Sequence, residues 1–171
     1  MNIVLIGMRG AGKTTVGKML ASHLKKDFIE MDDLVAKKAG MKIAQIVKKH
    51  GWEYFRDLET QITQEVSQKD NVIIATGGGV VLRSENVQVL KKHGKLFWLS
   101  VGVNSLLKRI GNDANRPSLT GKSPKEDMEE TQIQRQKLYE QAADVVIDTE
   151  KITAKEVMEE IITNLEDTYV Y

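Results

Sequence analysis

The run Gly7-Met8-Arg9-Gly10-Ala11-Gly12-Lys13-Thr14 fits the pattern G-x-x-x-x-G-K-[ST]. Glycines let a backbone curl until its N–H groups converge on phosphate oxygens. A helix opening directly after the loop adds partial positive charge beneath them. Lys13 then reaches the β- and γ-phosphates, and the Thr14 hydroxyl can ligate Mg²⁺. The expected nucleotide cradle covers Gly10, Ala11, Gly12, Lys13, Thr14 and Thr15. A plain Gly-rich turn between strand and helix would explain the glycines but not the Lys-Thr at its end. The motif says nothing of where the phosphate goes, since GTPases, ATPases and small-molecule kinases share it.

Other residues bear on that question. Glu30-Met31-Asp32-Asp33 follows a short apolar run, Phe28-Ile29. Carboxylates just beyond the end of a strand face a phosphate loop, where one can support a metal and another can hold or deprotonate an acceptor hydroxyl. Acids at a helix N-terminus are the competing reading. Trp52-Glu53-Tyr54-Phe55-Arg56 sets an arginine in aromatic surroundings, where it needs an anion. Glu59, one helical turn on, is an internal candidate for that anion. Thr76-Gly77-Gly78-Gly79 follows the buried run Val72–Ala75 and allows close approach of backbone to a ligand. Arg116-Pro117 lies in a Gly-, Asn-, Ser- and Lys-rich stretch. An arginine on a closing lid there would stabilise charge on a transferring phosphoryl group and help exclude water. Arg135, taken alone, reads as a solvated helix charge.

The elements that must position these residues follow from the pattern of apolar runs. Ile3–Ile6, Phe28-Ile29, Val72–Ala75, Leu96–Leu99 and Val145–Ile147 are short and lack strict alternation, as in strands buried on both faces of a parallel sheet. Between them lie helical patterns at Thr15–Lys25, Gly51–Gln68, Ser84–His93, Val103–Ile110, Pro124–Ala142 and Thr153–Leu165. The alternation predicts a doubly wound α/β fold. Two inserts interrupt it, one at about 33–69 with helical segments and one at about 111–125 with lid character. The tail from Asp167 is expected to fray. One domain of 171 residues, 1–171, is expected.

Composition excludes several classes. A formal net charge of +1 gives no general basic field for nucleic acid or an anionic membrane. Cysteine is absent, which excludes disulfides, thiolate metal sites and a cysteine nucleophile. No basic n-region with an apolar h-region precedes the first strand, and no apolar run approaches bilayer length. A cytoplasmic monomer is expected.

Taken together, Gly7–Thr14, Glu30 with Asp32, Phe55-Arg56 with Glu59, Gly77-Gly78-Gly79, Arg116-Pro117 and Arg135 before Leu138-Tyr139 resemble shikimate kinase, from Ile3 to about Asp148. The resemblance implies a nucleoside-monophosphate-kinase-like P-loop fold, three-layered, with a central five-stranded parallel sheet. It implies ATP, Mg²⁺ and transfer to the 3-hydroxyl of shikimate, a step of chorismate and aromatic amino-acid biosynthesis. It implies that Asp32 contacts the ring hydroxyls and is the candidate base. Arg56 and Arg135 would clamp the shikimate carboxylate, with Gly77, Gly78 and Gly79 closing on the ring. Lys13 and Arg116 would stabilise the transferring phosphoryl, and Arg109 would lie against adenine, with the region after Ile147 completing that pocket. Four positions depart from the family pattern: Glu30 stands for Asp, Trp52 for Glu, Ala36 for an acid and Gln141 for Glu. Two other readings remain open at this point: a gluconate-kinase-like enzyme and a nucleotide-binding paralogue with weak catalysis.

Overall fold

The computed structural model describes residues 1–110 and 122–166. Its five strands are β1 (Asn2–Ile6), β2 (Phe28–Glu30), β3 (Ile73–Ala75), β4 (Gly94–Ser100) and β5 (Val145–Asp148). They form one parallel sheet in the order β2-β3-β1-β4-β5. Every residue of β1 is buried, because the strand is paired on both edges and covered on both faces. Val4, for example, lies in register between Ile74 and Leu96. Each such side chain removed from water contributes about 1.5–3 kcal/mol.

The helices are α1 (Lys13–Leu24), α2 (Met31–Ala39), α3 (Ile43–Ser67), α4 (Ser84–His93), α5 (Val103–Ile110), α6 (Pro124–Ala142) and α7 (Ala154–Glu166). A 3₁₀ turn covers Val80–Leu82. Helix α1 packs on α7, and α3 on α2 and α4; α6 packs against α5 and the 3₁₀ turn. The sheet is thus flanked by helices, as the strand-helix alternation predicts. Among the described residues no helix is long and apolar enough to cross a membrane.

Two local details position the site. Helix α3 is two helices joined at Gly51, whose φ of 85° and ψ of 172° leave the helical region. The pattern expected from Gly51 onward is its second half, and the break resets the phase that aims Arg56. Helix α6 starts with a capping box: Ser123 accepts a bond from the Glu126 N–H, and the Glu126 carboxylate accepts from the Ser123 N–H. Pro124 occupies the first turn. Of the stretch expected to be a lid, Arg116 and Pro117 lie outside the described residues, as does the tail from Asp167.

Candidate active site

The first half of the site follows β1 directly. Gly10 and Gly12 adopt φ of 83° and 98°, conformations that L side chains rarely take, and Gly12 ends the loop as the N-cap of α1. A methyl group on Gly10 would also fall 2.7 Å from Ile110. The Lys13 ammonium is buried and donates to the backbone oxygens of Gly7 (2.7 Å) and Met8 (2.9 Å), so the loop wraps around it. The Thr14 hydroxyl donates to the Glu30 carboxylate at 2.5 Å. Glu30 is the N-cap residue of α2 but makes no side-chain cap bond, so its acid serves the loop instead of the helix end. Gly10, Gly12, Lys13, Thr14 and Thr15 line a solvent-open cavity of about 810 Å³ with Glu30, Asp32 and Arg109.

Arg109, near the end of α5, donates to the Thr149 carbonyl at 2.8 Å and to its hydroxyl at 3.2 Å. It shares an adjoining recess with Ala11, Gly12, Thr15, Thr149 and Ile152. The residues expected to flank an adenine, Arg109 and the region after Ile147, are therefore together.

The second half lies beyond the end of β3. The Thr76 N–H and hydroxyl both donate to the Leu5 carbonyl (3.1 and 3.0 Å), which sets the following glycines against the phosphate loop. A second cavity, with about 650 Å³ of empty space, is lined by Arg9, Asp32, Trp52, Phe55, Arg56, Glu59, Gly77–Gly79, Asp127, Met128, Thr131 and Arg135 among others. The two cavities share Arg9, Asp32 and Gly78. Asp32, in the first turn of α2, thus stands where a phosphate donor and an acceptor would meet.

Arg56 and Arg135 each expose 8% of their surface, and Glu59 exposes 2%. Arg56 donates to Glu59 at 2.6 Å and lies 5.5 and 5.0 Å from the ring centroids of Trp52 and Phe55. The internal partner is therefore real, yet Arg56 still borders the cavity. Burial lowers the pKa of Arg135, and the nearby Arg56 charge adds to that effect. Two buried guanidiniums thus crowd one carboxylate. Glu59 Oε1 and Arg135 Nε have no hydrogen-bond partner. The Arg135 Nε–H calls for a further acceptor, and the Glu59 oxygen for a further donor.

The structure adds a second reason for the triplet Gly77-Gly78-Gly79 to be small. A methyl on Gly79 would lie 2.2 Å from the Arg56 guanidinium, and one on Gly77 would lie 2.6 Å from Glu59 Oε1 and 2.9 Å from Asp32 Oδ1. These are close approaches to the site's own charged side chains. Reading Arg135 alone as a solvated charge is wrong, because α6 turns it inward.

The sequence reading did not single out Asp127 and Thr131. They line the acceptor cavity two turns and one turn before Arg135 on α6. The i, i+4, i+8 spacing was the available signal, but an all-polar stripe also reads as a solvated face. Of the four departures from the family pattern, Trp52 borders the acceptor cavity and Glu30 holds Thr14. Ala36 and Gln141 line neither cavity.

A P-loop at the switch point of a parallel sheet, opening onto a small cavity lined by arginines and carboxylates, defines a P-loop kinase of small molecules. The shikimate kinase family model matches residues 9–166. A shikimate kinase of Thermodesulfovibrio yellowstonii is 45% identical over 165 residues, covering 96% of this chain and 95% of the relative. The crystal structure of shikimate kinase from Acinetobacter baumannii in complex with shikimate aligns at a TM-score of 0.95 and 32% identity, over 99% of this chain and 95% of that one. A gluconokinase from Sinorhizobium meliloti aligns over 98% and 92% at a TM-score of 0.56 and 14% identity, a likeness of fold alone. This chain belongs to the shikimate kinase family. Its activity is the ATP-dependent phosphorylation of shikimate, and the gluconate-kinase-like reading is not favoured.

Proposed function

We propose that the acceptor cavity binds shikimate through Arg56 and Arg135 and presents its 3-hydroxyl to the γ-phosphate of ATP beside Asp32. The observation that carries this reading is the pair of buried guanidiniums sharing Glu59 in a cavity that meets the P-loop cavity at Asp32. Paired guanidiniums suit a carboxylate, and a carboxylate suits a polyol. In the transfer, the hydroxyl oxygen forms a bond to the γ-phosphorus while the bond from that phosphorus to the β–γ bridging oxygen breaks. ADP leaves with the electron pair, and Asp32 accepts the hydroxyl proton. Lys13 offsets charge on the phosphate oxygens, Gly77–Gly79 close on the ring, and Arg109 lies against the adenine. Arg116, outside the described residues, is assigned to the transferring phosphoryl by the family resemblance.

The donor set around Thr14 fits Mg²⁺, because it consists of hard oxygens from a hydroxyl and the carboxylates of Glu30 and Asp32. Among the described residues no cluster of three or more His, Asp or Glu forms a cage, as suits an ion shared with phosphates. Thr14 would hold it, and when bound it neutralises charge on the phosphate oxygens. The segment 33–69 would serve as the acceptor-binding insert and 111–125 as the lid. We read the enzyme as a cytoplasmic monomer acting on small molecules, and the formal net charge of +1 supports a reading without nucleic acid.

A coupled ADP-release assay across shikimate, quinate, gluconate and nucleoside monophosphates tests the reading. The expected result is turnover that strongly favours shikimate. Preference for gluconate or a nucleotide would overturn it, and ATP binding without turnover on any acceptor would favour the non-catalytic paralogue.

A further inference from the structure

Beneath the acceptor cavity lies a buried residue that touches no surface of it. Tyr139 exposes 1% of its surface on α6, one turn after Arg135. Its ring stacks on Trp98 of β4, with centroids 5.6 Å apart and an interplanar angle of 18°. Its hydroxyl donates to the Gly78 carbonyl. Arg135 interacts electrostatically with the same phenol. A phenol that donates to Gly78 keeps lone pairs that attract such a cation.

We infer that Tyr139 is a positioning residue for acceptor binding, which couples the Gly78 peptide to Arg135 through its hydroxyl. The inference rests on the assignment of Gly78 and Arg135 to the acceptor site. Gly78 shares in both cavities, and a methyl built on it would lie 3.3 Å from the Arg9 N–H nitrogen and 3.6 Å from Arg135. A glycine triplet in such a place has little rotational restraint of its own. The bond from Tyr139 fixes the Gly78 carbonyl. The peptide is trans, so the Gly79 N–H is turned to the opposite side, away from Tyr139. Arg135 gains a fixed dipole beside it, which favours one placement of a long side chain left with an unpartnered Nε. The ring stack on Trp98 makes the phenol rigid enough for this task. Burial pushes its pKa up to about 12, so the proton donated to Gly78 stays in place throughout the working range.

Full-chain Tyr139→Phe keeps the ring and its stack while removing the hydroxyl and its bond to Gly78. The shikimate KM is expected to rise about tenfold, the size of one lost buried hydrogen bond. The ATP KM should stay within about twofold, and kcat should fall less than the shikimate KM rises. Arg135→Ala supplies the second measurement. In that background the added effect of Tyr139→Phe on shikimate KM should shrink to about twofold, because the guanidinium it acts on is gone. An unchanged shikimate KM in Tyr139→Phe overturns the inference. So does a parallel loss of melting temperature, kcat and both KM values, which marks a filler of the core. If Arg135→Ala itself leaves shikimate KM unchanged, the acceptor-site reading fails instead.

Discussion

Replacing Gly79 with alanine adds one methyl group where the site has no space for it. The backbone tolerates the change, since φ is −100° and ψ is 5° at this residue. The obstacle is a contact: the new Cβ would stand 2.2 Å from both terminal nitrogens of Arg56. Ordinary contact begins near 3.4 Å, so the guanidinium or the Gly79 backbone must move by more than 1 Å. The guanidinium is held by Glu59 at 2.6 Å and by the aromatic rings of Trp52 and Phe55, so moving it disturbs those contacts too. Overpacking of this kind costs about 1–3 kcal/mol of stability. Loss of an aligned charged contact to the acceptor carboxylate costs a further ~1.5–3 kcal/mol of binding, or roughly 10- to 150-fold in shikimate KM. ADP release with shikimate titrated at saturating ATP measures that factor, and the ATP KM serves as the internal control. The clash also makes a prediction about non-additivity. Once Arg56→Ala has removed the guanidinium, Gly79→Ala should cost almost nothing more. A Gly79→Ala enzyme with wild-type shikimate KM, or fully additive effects in the double variant, would refute the steric argument.

Two further changes test the donor side and the core. Lys13→Ala should reduce transfer by on the order of 10³-fold, as expected for a charge aimed at the developing phosphate oxygens; a thermal melt confirms folding, and near-wild-type turnover would remove Lys13 from the mechanism. Alkaline stability should report on Tyr139. Its folded pKa of about 12 exceeds the ordinary 10.0, so the unfolded chain releases this proton first as pH rises. The stabilisation is complete below pH 10 and is lost on the way to 12, by about 2–3 kcal/mol in total. Urea unfolding at pH 9 and pH 11.5 should show this extra loss in the wild type and not in Tyr139→Phe; equal losses would contradict it.

The phosphate loop was fully legible in the sequence because its chemistry lies within one strand, one turn and one helix. Lys13, Thr14 and the glycines need no distant partner to be recognised. The acceptor side was legible in its residues but not in their contacts. Arg56 and Glu59 are neighbours on α3, so their pairing could be foreseen from spacing. That Gly79 must make way for Arg56 could not, because it depends on how the loop after β3 meets α3. Helix α6 shows the limit most clearly. Its bounds follow from Ser123, Pro124 and Glu126, which write the capping box into the sequence. Its inward face carries Asp127, Thr131, Arg135 and Tyr139, a mostly polar stripe that hydrophobic periodicity passes over. The part of the fold built by burying oil was readable, and the part built by burying charge was not.

On the proposed assignment of Arg56 and Arg135, the burial of that charge would make the acceptor cavity selective. Arg135 senses Arg56 as a repulsive charge and Glu59 as an attractive one. Glu59 bonds Arg56 through Oε2, while its Oε1 makes no hydrogen bond. Two guanidiniums held near one carboxylate, with little water to screen them, cannot both be well satisfied by it. Removing Glu59 would take away the carboxylate bonded to Arg56 and leave the two guanidiniums less well compensated. In the proposed complex, the acceptor carboxylate would give the guanidiniums a further anion and lessen the repulsion. An acceptor without that group leaves the repulsion intact, however well its hydroxyls meet Asp32. On this proposal the preference for an acidic polyol would come from the two buried guanidiniums, and the hydroxyl contacts would serve mainly to aim the reacting oxygen at the phosphate.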